Sequence, residues 1–462
     1  MKLIKEIGKG ILPEAPKFRK MVGPSFILLG MGLGSGELIL WPYLSANFGL
    51  GIIWAAVIGI TFQFFINMEV ERYTLVTGES VFVGLARKLG RLSPIWFILS
   101  TMIPWMWPGI VLSSATVLAA VLGIKSAGLV AILMLLMIGS VLTFGKVYKT
   151  QEKLQKMVIY IGVPAVLLLT IFLAKGADWQ SLMNGLIGKG EGFLFIPAGL
   201  SLMTFLGAFA YSGAGGNLNL AQSFYIREKE YGMGKYGGKI TSLLRKGDQN
   251  FSLEGKTFEI NKDNLSRFKV WWKKVNLEHL LVFWLTGATT ILLLALLAFS
   301  TVYGKFGGSS GINFLFEEAA NIGVSTLPVI GIIFLVLVSI MLFFTQLSVM
   351  DATARINSEN LVILNEKVFG VKKMSKFYYI FLWTQIVLGI LILLVGFDQP
   401  LQLVTISAFL NAITMFVYTG ALWWLNQKTL PKELRPSWWR KAVLAVVILF
   451  FGIFTYMTLA SW

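Results

Sequence analysis

Cysteine is absent and histidine occurs once. A disulfide scaffold, a thiolate metal centre, a cysteine nucleophile and any multi-histidine metal site are therefore excluded. Soft-ligand chemistry falls to methionine or does not occur. Charge is also scarce: Asp, Glu, Lys and Arg make up 14% of the 462 residues, against 56% hydrophobic residues and a mean hydropathy of +0.73. So few charges cannot cover that much apolar side chain in water. The chain reads as an all-α integral membrane protein.

Eleven apolar segments carry that reading: 24–44, 50–70, 94–121, 126–145, 154–174, 193–225, 279–303, 327–350, 377–396, 399–425 and 440–460. Most reach the roughly 20 residues that cross a bilayer as helix. The net charge of +17 invites a nucleic-acid reading, which its distribution removes. Eleven spans sort the connecting loops into two alternating sets; the set with the N-terminus holds all but Lys125, Lys175, Lys189 and Lys305 of the 40 Lys and Arg residues. Positive loops stay inside, so the N-terminus is expected in the cytoplasm and the C-terminus outside a cytoplasmic (inner) membrane, in a multi-pass topology. The partners implied are the lipid bilayer and its anionic headgroups, and no nucleic acid. Lys2 to Lys20 is too polar for a cleavable signal. Leu3, Ile4, Ile7 and Ile11 suit one face of a short helix lying on the inner surface, with a frayed terminus as the equal alternative. The longest polar stretch, 226–275, reads as a cytoplasmic insert with two short strands around Glu254-Gly255-Lys256 and a charged helix from Lys262 to Lys274.

An echo between the two halves of the chain organises the rest. The first segment is interrupted by Gly30-Met31-Gly32-Leu33-Gly34-Ser35-Gly36-Glu37, the sixth by Ser212-Gly213-Ala214-Gly215-Gly216-Asn217. Each interruption opens a group of five segments. Paired glycine breaks in corresponding helices mark a secondary transporter built from inverted repeats; either run alone also fits close helix packing. The chain thus divides into repeat one, about 22–175, repeat two, about 192–427, and an extra helix at 440–460, all in one transmembrane domain. Unwinding frees carbonyls that bind cations and exposes helix ends whose dipoles select charge. Glu37 is the sole ionisable residue of the first segment, no Lys or Arg stands at mid-membrane depth, and a lone charge there is costly. A cation ligand or proton carrier is its natural role, with a neutral hydrogen-bonded Glu as the plain alternative. Asn217 offers an amide oxygen as second hard ligand.

Gly23-Pro24-Ser25 through Gly36-Glu37, Trp54 to Arg72, Leu75-Val76-Thr77-Gly78-Glu79 and Asn217-Leu218-Asn219-Leu220 resemble the Nramp family of divalent-metal transporters, as a distant branch. The resemblance implies a LeuT-type fold with eleven transmembrane helices, a 5+5 inverted repeat plus one, helices 1 and 6 unwound mid-membrane, and alternating access. Usual members of that family import Mn2+ or Fe2+ with proton coupling. Two departures alter the implication. The first-helix Asp-Pro-Gly-Asn of the family is here Gly34-Ser35-Gly36-Glu37, and the sixth-helix Met-Pro-His is Ala214-Gly215-Gly216. The thioether that favours soft metals and the histidine linked to proton movement are replaced. Loss of that Met is similar to Nramp-related magnesium transporters, which keep the first-helix Asp that this chain has lost.

Gly34, Ser35, Glu37, Gly213, Ala214 and Asn217 therefore form the expected ion or substrate site, with Glu37 and Asn217 as metal ligands. Its donors are all oxygen, which suits Mg2+ or Mn2+ over softer ions. The expected function is secondary transport of such a hard divalent cation. The alternative is a proton- or sodium-coupled symporter of a small organic solute such as an amino acid, for which Pro104-Trp105-Met106-Trp107-Pro108 would supply a stacking surface. Gln63 and Asn67, one turn apart, with Glu69, Gln346 and Asp351, are candidates for an ion or proton route. For Glu69 beside Arg72, and Asp351 beside Arg355, local ion pairs are the plainer expectation. His279 reads as interfacial. No enzyme is implied, because clustered carboxylates and nucleotide loops are lacking within the membrane; no cofactor is expected, the divalent cation being cargo.

Overall fold

The computed structural model describes residues 7–21, 23–144, 147–237, 252–305 and 310–460. Nine helices among them are long and apolar enough to cross a membrane, and a tenth is counted if Ile159–Leu173 and Gly176–Leu186, bent by 117°, form one span. The sixth segment is not among them, because it consists of two short helices, Leu202–Ala210 and Gln222–Glu228, flanking an irregular stretch. Segment numbers below are those of the apolar segments read from sequence.

Burial ranks the helices. In the first segment, Pro24–Phe48, 94% of the most apolar window is buried inside the protein, whereas Val371–Leu394 and Trp438–Ala460 bury only 28%. The glycine-interrupted segments thus form the centre and the outer helices turn Leu, Ile and Phe toward lipid. Segment 3 is kinked: Leu92–Trp105 ends before Trp107-Pro108, and Gly109–Leu122 restarts it, as expected where Pro108 removes a donor. Segment 8 runs from Pro328 to Leu364, well past the expected end at 350, because its polar last turns are buried in ion pairs rather than left in water.

Four expectations are corrected. The N-terminal arm is not a surface helix over residues 7–11: Gly8–Gly10 (β1) pairs in parallel with Lys256–Phe258 (β2), Gly8 opposite Lys256. Leu3 and Ile4 lie outside the described residues. Pro13 and Pro16 prevent helix beyond the strand, and the arm's carbonyls are taken instead by one helical face. Arg267 donates to Leu12 O at 3.2 Å, Trp271 to Pro13 O at 2.7 Å and Lys274 to Pro16 O at 2.6 Å. The expected hairpin around Glu254-Gly255-Lys256 is accordingly one strand paired with the N-terminal arm; Phe251 lies outside the described residues. The charged helix at Lys262 does not stop at Lys274 but continues through a π-helical turn, Leu280–Leu285, to Val302.

The fourth correction concerns segment 1, which is not unwound. Pro24–Gly32 is α-helix, Leu33–Leu40 is π-helix and Trp41–Phe48 is α-helix again. Its glycines serve close approach. A Cβ on Gly36 would lie 1.6 Å from the Tyr211 carbonyl oxygen, one on Gly34 2.6 Å from Thr345 Cβ, and one on Gly32 2.7 Å from the Gly213 carbonyl carbon. Small residues let these backbones touch, and the extra residue of a π-turn accommodates the contact without breaking the helix.

Candidate functional site

The break in segment 6 is where the backbone leaves regular structure. Helix Leu202–Ala210 ends at Tyr211, Gly215 and Gly216 take φ values of +74° and +50°, and a 3-10 turn, Gly216–Ala221, restarts the chain. Glycine tolerates that left-handed backbone. Buried backbone groups released by the break need partners, and Gln63 of segment 2 supplies two. Its Nε2 donates to Ala210 O at 2.9 Å and its Oε1 accepts from Gly215 N at 3.0 Å. Trp41 Nε1 donates to Ser212 Oγ at 3.0 Å. The Trp105 ring stacks on Tyr211 at 5.4 Å, and the Tyr211 hydroxyl meets Ser407 Oγ at 2.7 Å and Asn411 Nδ2 at 2.8 Å. Four other segments, 1, 2, 3 and 10, therefore hold the break in one shape.

Across from it, Glu37 is wholly buried in the π-helical stretch, and neither carboxylate oxygen has a hydrogen-bond partner among the described residues. Glu37 Oε1 faces Gly287 of segment 7, 3.6 Å from where a Cβ would stand there. Ser35 Oγ is likewise buried and unpartnered. Asn217 donates from Nδ2 to Ser100 Oγ at 2.9 Å and Thr101 Oγ1 at 2.8 Å, which orients the amide and leaves its buried Oδ1 unpartnered. Gly213 packs on Gln63 and Gly32, Gly34 packs on Thr345, and Ala214 is fully buried. The structure thus brings the two glycine runs together but joins Glu37 to Asn217 by no hydrogen bond. Among the described residues no cluster of three His, Cys, Asp or Glu side chains is arranged to hold a metal ion. Ser35, Glu37 and Asn217 are all 0% exposed, so solvent reaches none of the three in this conformation.

Segment 2 carries a polar stripe away from this centre. Gln63, Asn67 and Glu71 recur at four-residue spacing and so share a helix face. Both amide atoms of Asn67 are buried without a hydrogen-bond partner among the described residues. Glu71 Oε1 accepts from Gln222 Nε2 at 2.7 Å and lies 3.3 Å from His279 Nδ1. His279, expected at an interface, is instead 0% exposed and stacked between Phe64 and Phe283. The signal for it was an aromatic residue one turn along, Phe283, and an adjacent acid, Glu278, at the head of an apolar run. Glu69 points elsewhere, bound to Arg72 at 2.7 Å, Arg440 at 3.3 Å and Asn426 at 3.2 Å. Asp351 pairs with Arg355 at 2.9 Å and accepts from Tyr378 at 2.7 Å, and Gln346 is buried nearby on the same helix. Glu69 and Asp351 therefore take the ion-pair role that their neighbours in sequence suggest.

No family model matches the sequence, and no curated protein does. Among solved structures the chain is similar to a manganese transporter of Eremococcus coleocola, with a TM-score of 0.71 at 12% identity over 99% of this chain and 90% of that one. It is also similar to Mhp1, a nucleobase-cation-symport-1 family transporter solved closed with bromovinylhydantoin bound, at a TM-score of 0.58 and 12% identity over 99% and 93% of the two chains. A third match is MhsT in complex with L-phenylalanine, at 0.52 and 15% identity over 98% and 100%. At these identities the likeness is one of fold. The chain has the LeuT-type fold that these structures share.

Proposed function

We propose that this chain is a secondary active transporter, Nramp-related, that moves a hard divalent cation, Mg2+ or Mn2+, across the cytoplasmic membrane by alternating access. The observation that carries the reading is Glu37: a fully buried carboxylate at the centre of the bundle whose two oxygens lack hydrogen-bond partners among the described residues. An uncompensated carboxylate is too costly to keep in such a place, so a bound cation or proton completes it. The fold shared with a manganese transporter supports a metal ion as that cation. Ser35 Oγ and Asn217 Oδ1, buried and unpartnered among the described residues on the two glycine-rich segments, supply a hard donor set together with backbone carbonyls at the segment 6 break. No hydrogen bond joins Glu37 to Asn217 in this conformation, and cation binding draws them together as the halves move. The Lys and Arg distribution supports a cytoplasmic side for the N-terminal arm and the 226–275 insert.

A second reading has its own observation. Trp105 stacked on Tyr211 beside the break offers an aromatic wall, and two structures of this fold hold bromovinylhydantoin and L-phenylalanine. On this reading Glu37 binds the coupling sodium ion or proton, and the solute lies against Trp105.

The deciding experiment is uptake into proteoliposomes of Mg2+, Mn2+, Ca2+ and amino acids by the wild type and Glu37→Gln. The expected result is cation uptake by the wild type and its loss in Glu37→Gln, with unchanged folding. Undiminished cation uptake by the variant would make the carboxylate structural. Accumulation of a solute without metal movement would establish the second reading.

A further inference from the structure

The chain's single histidine lies in a polar cluster that no ion-binding role so far absorbs. His279 and Glu278 come from segment 7, Ser25 from the start of segment 1, Glu71 from segment 2 and Gln222 from the second half of segment 6. Glu278 Oε1 accepts from Gly23 N at 3.3 Å, and its Oε2 accepts a short hydrogen bond from Ser25 Oγ. Ser25 Oγ lies 2.8 Å from His279 Nδ1, which also lies 3.3 Å from Glu71 Oε1. Ser25, Glu71 and His279 are 0% exposed and Glu278 2%. The charged or titratable groups facing the cluster are Glu71 from segment 2, Glu278 from segment 7 and Lys156 from segment 5, which acts on Glu278 through space. Segments 1 and 6 contribute only neutral hydrogen-bonding groups, Ser25 and Gln222.

The donor count fixes the protons. A serine hydroxyl has one hydrogen, and here it goes to Glu278. Ser25 Oγ must then accept from His279, so Nδ1 carries the imidazole hydrogen, assigned from the network in the usual way. The second ring nitrogen, Nε2, is thereby left as an acceptor, buried and with no hydrogen-bond partner among the described residues. Glu71 Oε2 is also buried and unpartnered. The ring lies between Phe64 and Phe283 with both carboxylates on its Nδ1 side, and Nε2 is a basic nitrogen to which nothing among the described residues donates, a place for one proton.

We infer that Glu71, His279 and Glu278, bridged by Ser25, form a proton-holding site: the Nε2 lone pair takes a proton from acid reaching the cluster and gives it back to water, and the imidazolium is held by the two carboxylates. The site ties the start of segment 1 to segments 2, 6 and 7, so its charge biases the movement of segment 1 against segment 7. Asn67, one turn from Glu71 on the same face and with its amide unpartnered, continues the path toward the segment 6 break. The inference rests on the transport reading only for the link to cargo; the proton site itself does not.

One imidazole in the whole chain means one signal, provided the protein is purified with a tag free of histidine. We would titrate protein labelled at histidine by NMR in nanodiscs, and measure Mn2+ uptake into proteoliposomes across pH gradients. The imidazole is expected to titrate as a single proton, with a midpoint that falls by about 1–3 pH units in Glu71→Gln or Glu278→Gln, because each substitution removes an opposite charge. His279→Gln should retain downhill Mn2+ uptake yet lose its response to pH, about tenfold per pH unit at most for a one-proton site. An imidazole signal that does not move with pH, or a midpoint indifferent to both glutamates, overturns the proposal whatever the transport result. Full pH response in His279→Gln overturns it as well. If the wild type moves no Mn2+ at any pH while the imidazole titrates as expected, the proton site stands and the cation reading fails. Should His279→Gln not fold, the wild-type titration and the two glutamate variants still decide.

Discussion

Gln63 provides a quantitative check on how the segment 6 break is held. Replacing it by Leu keeps most of the volume and removes both amide contacts, leaving Ala210 O and Gly215 N without the partners they have at 2.9 and 3.0 Å. Each buried group so stranded costs about 1–3 kcal/mol, so the folded shape of the break loses about 2–6 kcal/mol, or roughly 30- to 10^4-fold in its equilibrium. Asn67→Leu, one turn along the same helix, is the matched control. Its amide atoms have no partner to strand, so the same change of chemistry should leave stability equal or raised. The assay is thermal unfolding of the purified variants in detergent, read by intrinsic fluorescence, beside uptake into proteoliposomes. The midpoint of Gln63→Leu should fall by several degrees and that of Asn67→Leu should not. Equal stability of Gln63→Leu and wild type, or an Asn67→Leu loss as large as that of Gln63→Leu, would refute the reasoning.

Three further outcomes are expected. Gly36→Ala sets a methyl against the Tyr211 carbonyl oxygen, so segments 1 and 6 must part and stability falls by about 1–3 kcal/mol or more; Gly128→Ala, with open space around it, should gain about 0.5–1 kcal/mol, and unfolding midpoints compare them. Arg227→Met leaves Glu359, its partner at 2.9 Å, buried without that cation, and should cost about 3–5 kcal/mol, part of which Glu359→Gln in the same chain restores. Ala214→Met places a thioether at the break, and competition between Cd2+ and Mg2+ uptake should shift toward Cd2+; an unchanged ratio would remove Ala214 from the cation site.

What the sequence by itself determined is what local composition controls. Apolar runs of bilayer length follow from residue content alone, and the nine long helices lie where those runs do. The two glycine runs marked the segments that meet at the centre, and Glu37 stood out because an ionisable side chain in such a run has no local excuse. Tertiary structure decided everything that depends on a partner far along the chain. Glycine permits unwinding and close packing equally; segment 1 stayed helical because Tyr211, Gly213 and Thr345 press against it, while segment 6 opened because Gln63 could take up its freed backbone groups. The N-terminal arm became a strand because residues near 256 offered it an edge and the helix from Lys262 took its carbonyls. His279 looked interfacial by its place at the end of an apolar run, yet Phe64 lies 215 positions earlier and Ser25 254 positions earlier, and only folding brings those groups around its ring. A hydrogen bond is short in space and indifferent to separation in sequence, so the partners that give a buried polar residue its role are legible only in three dimensions.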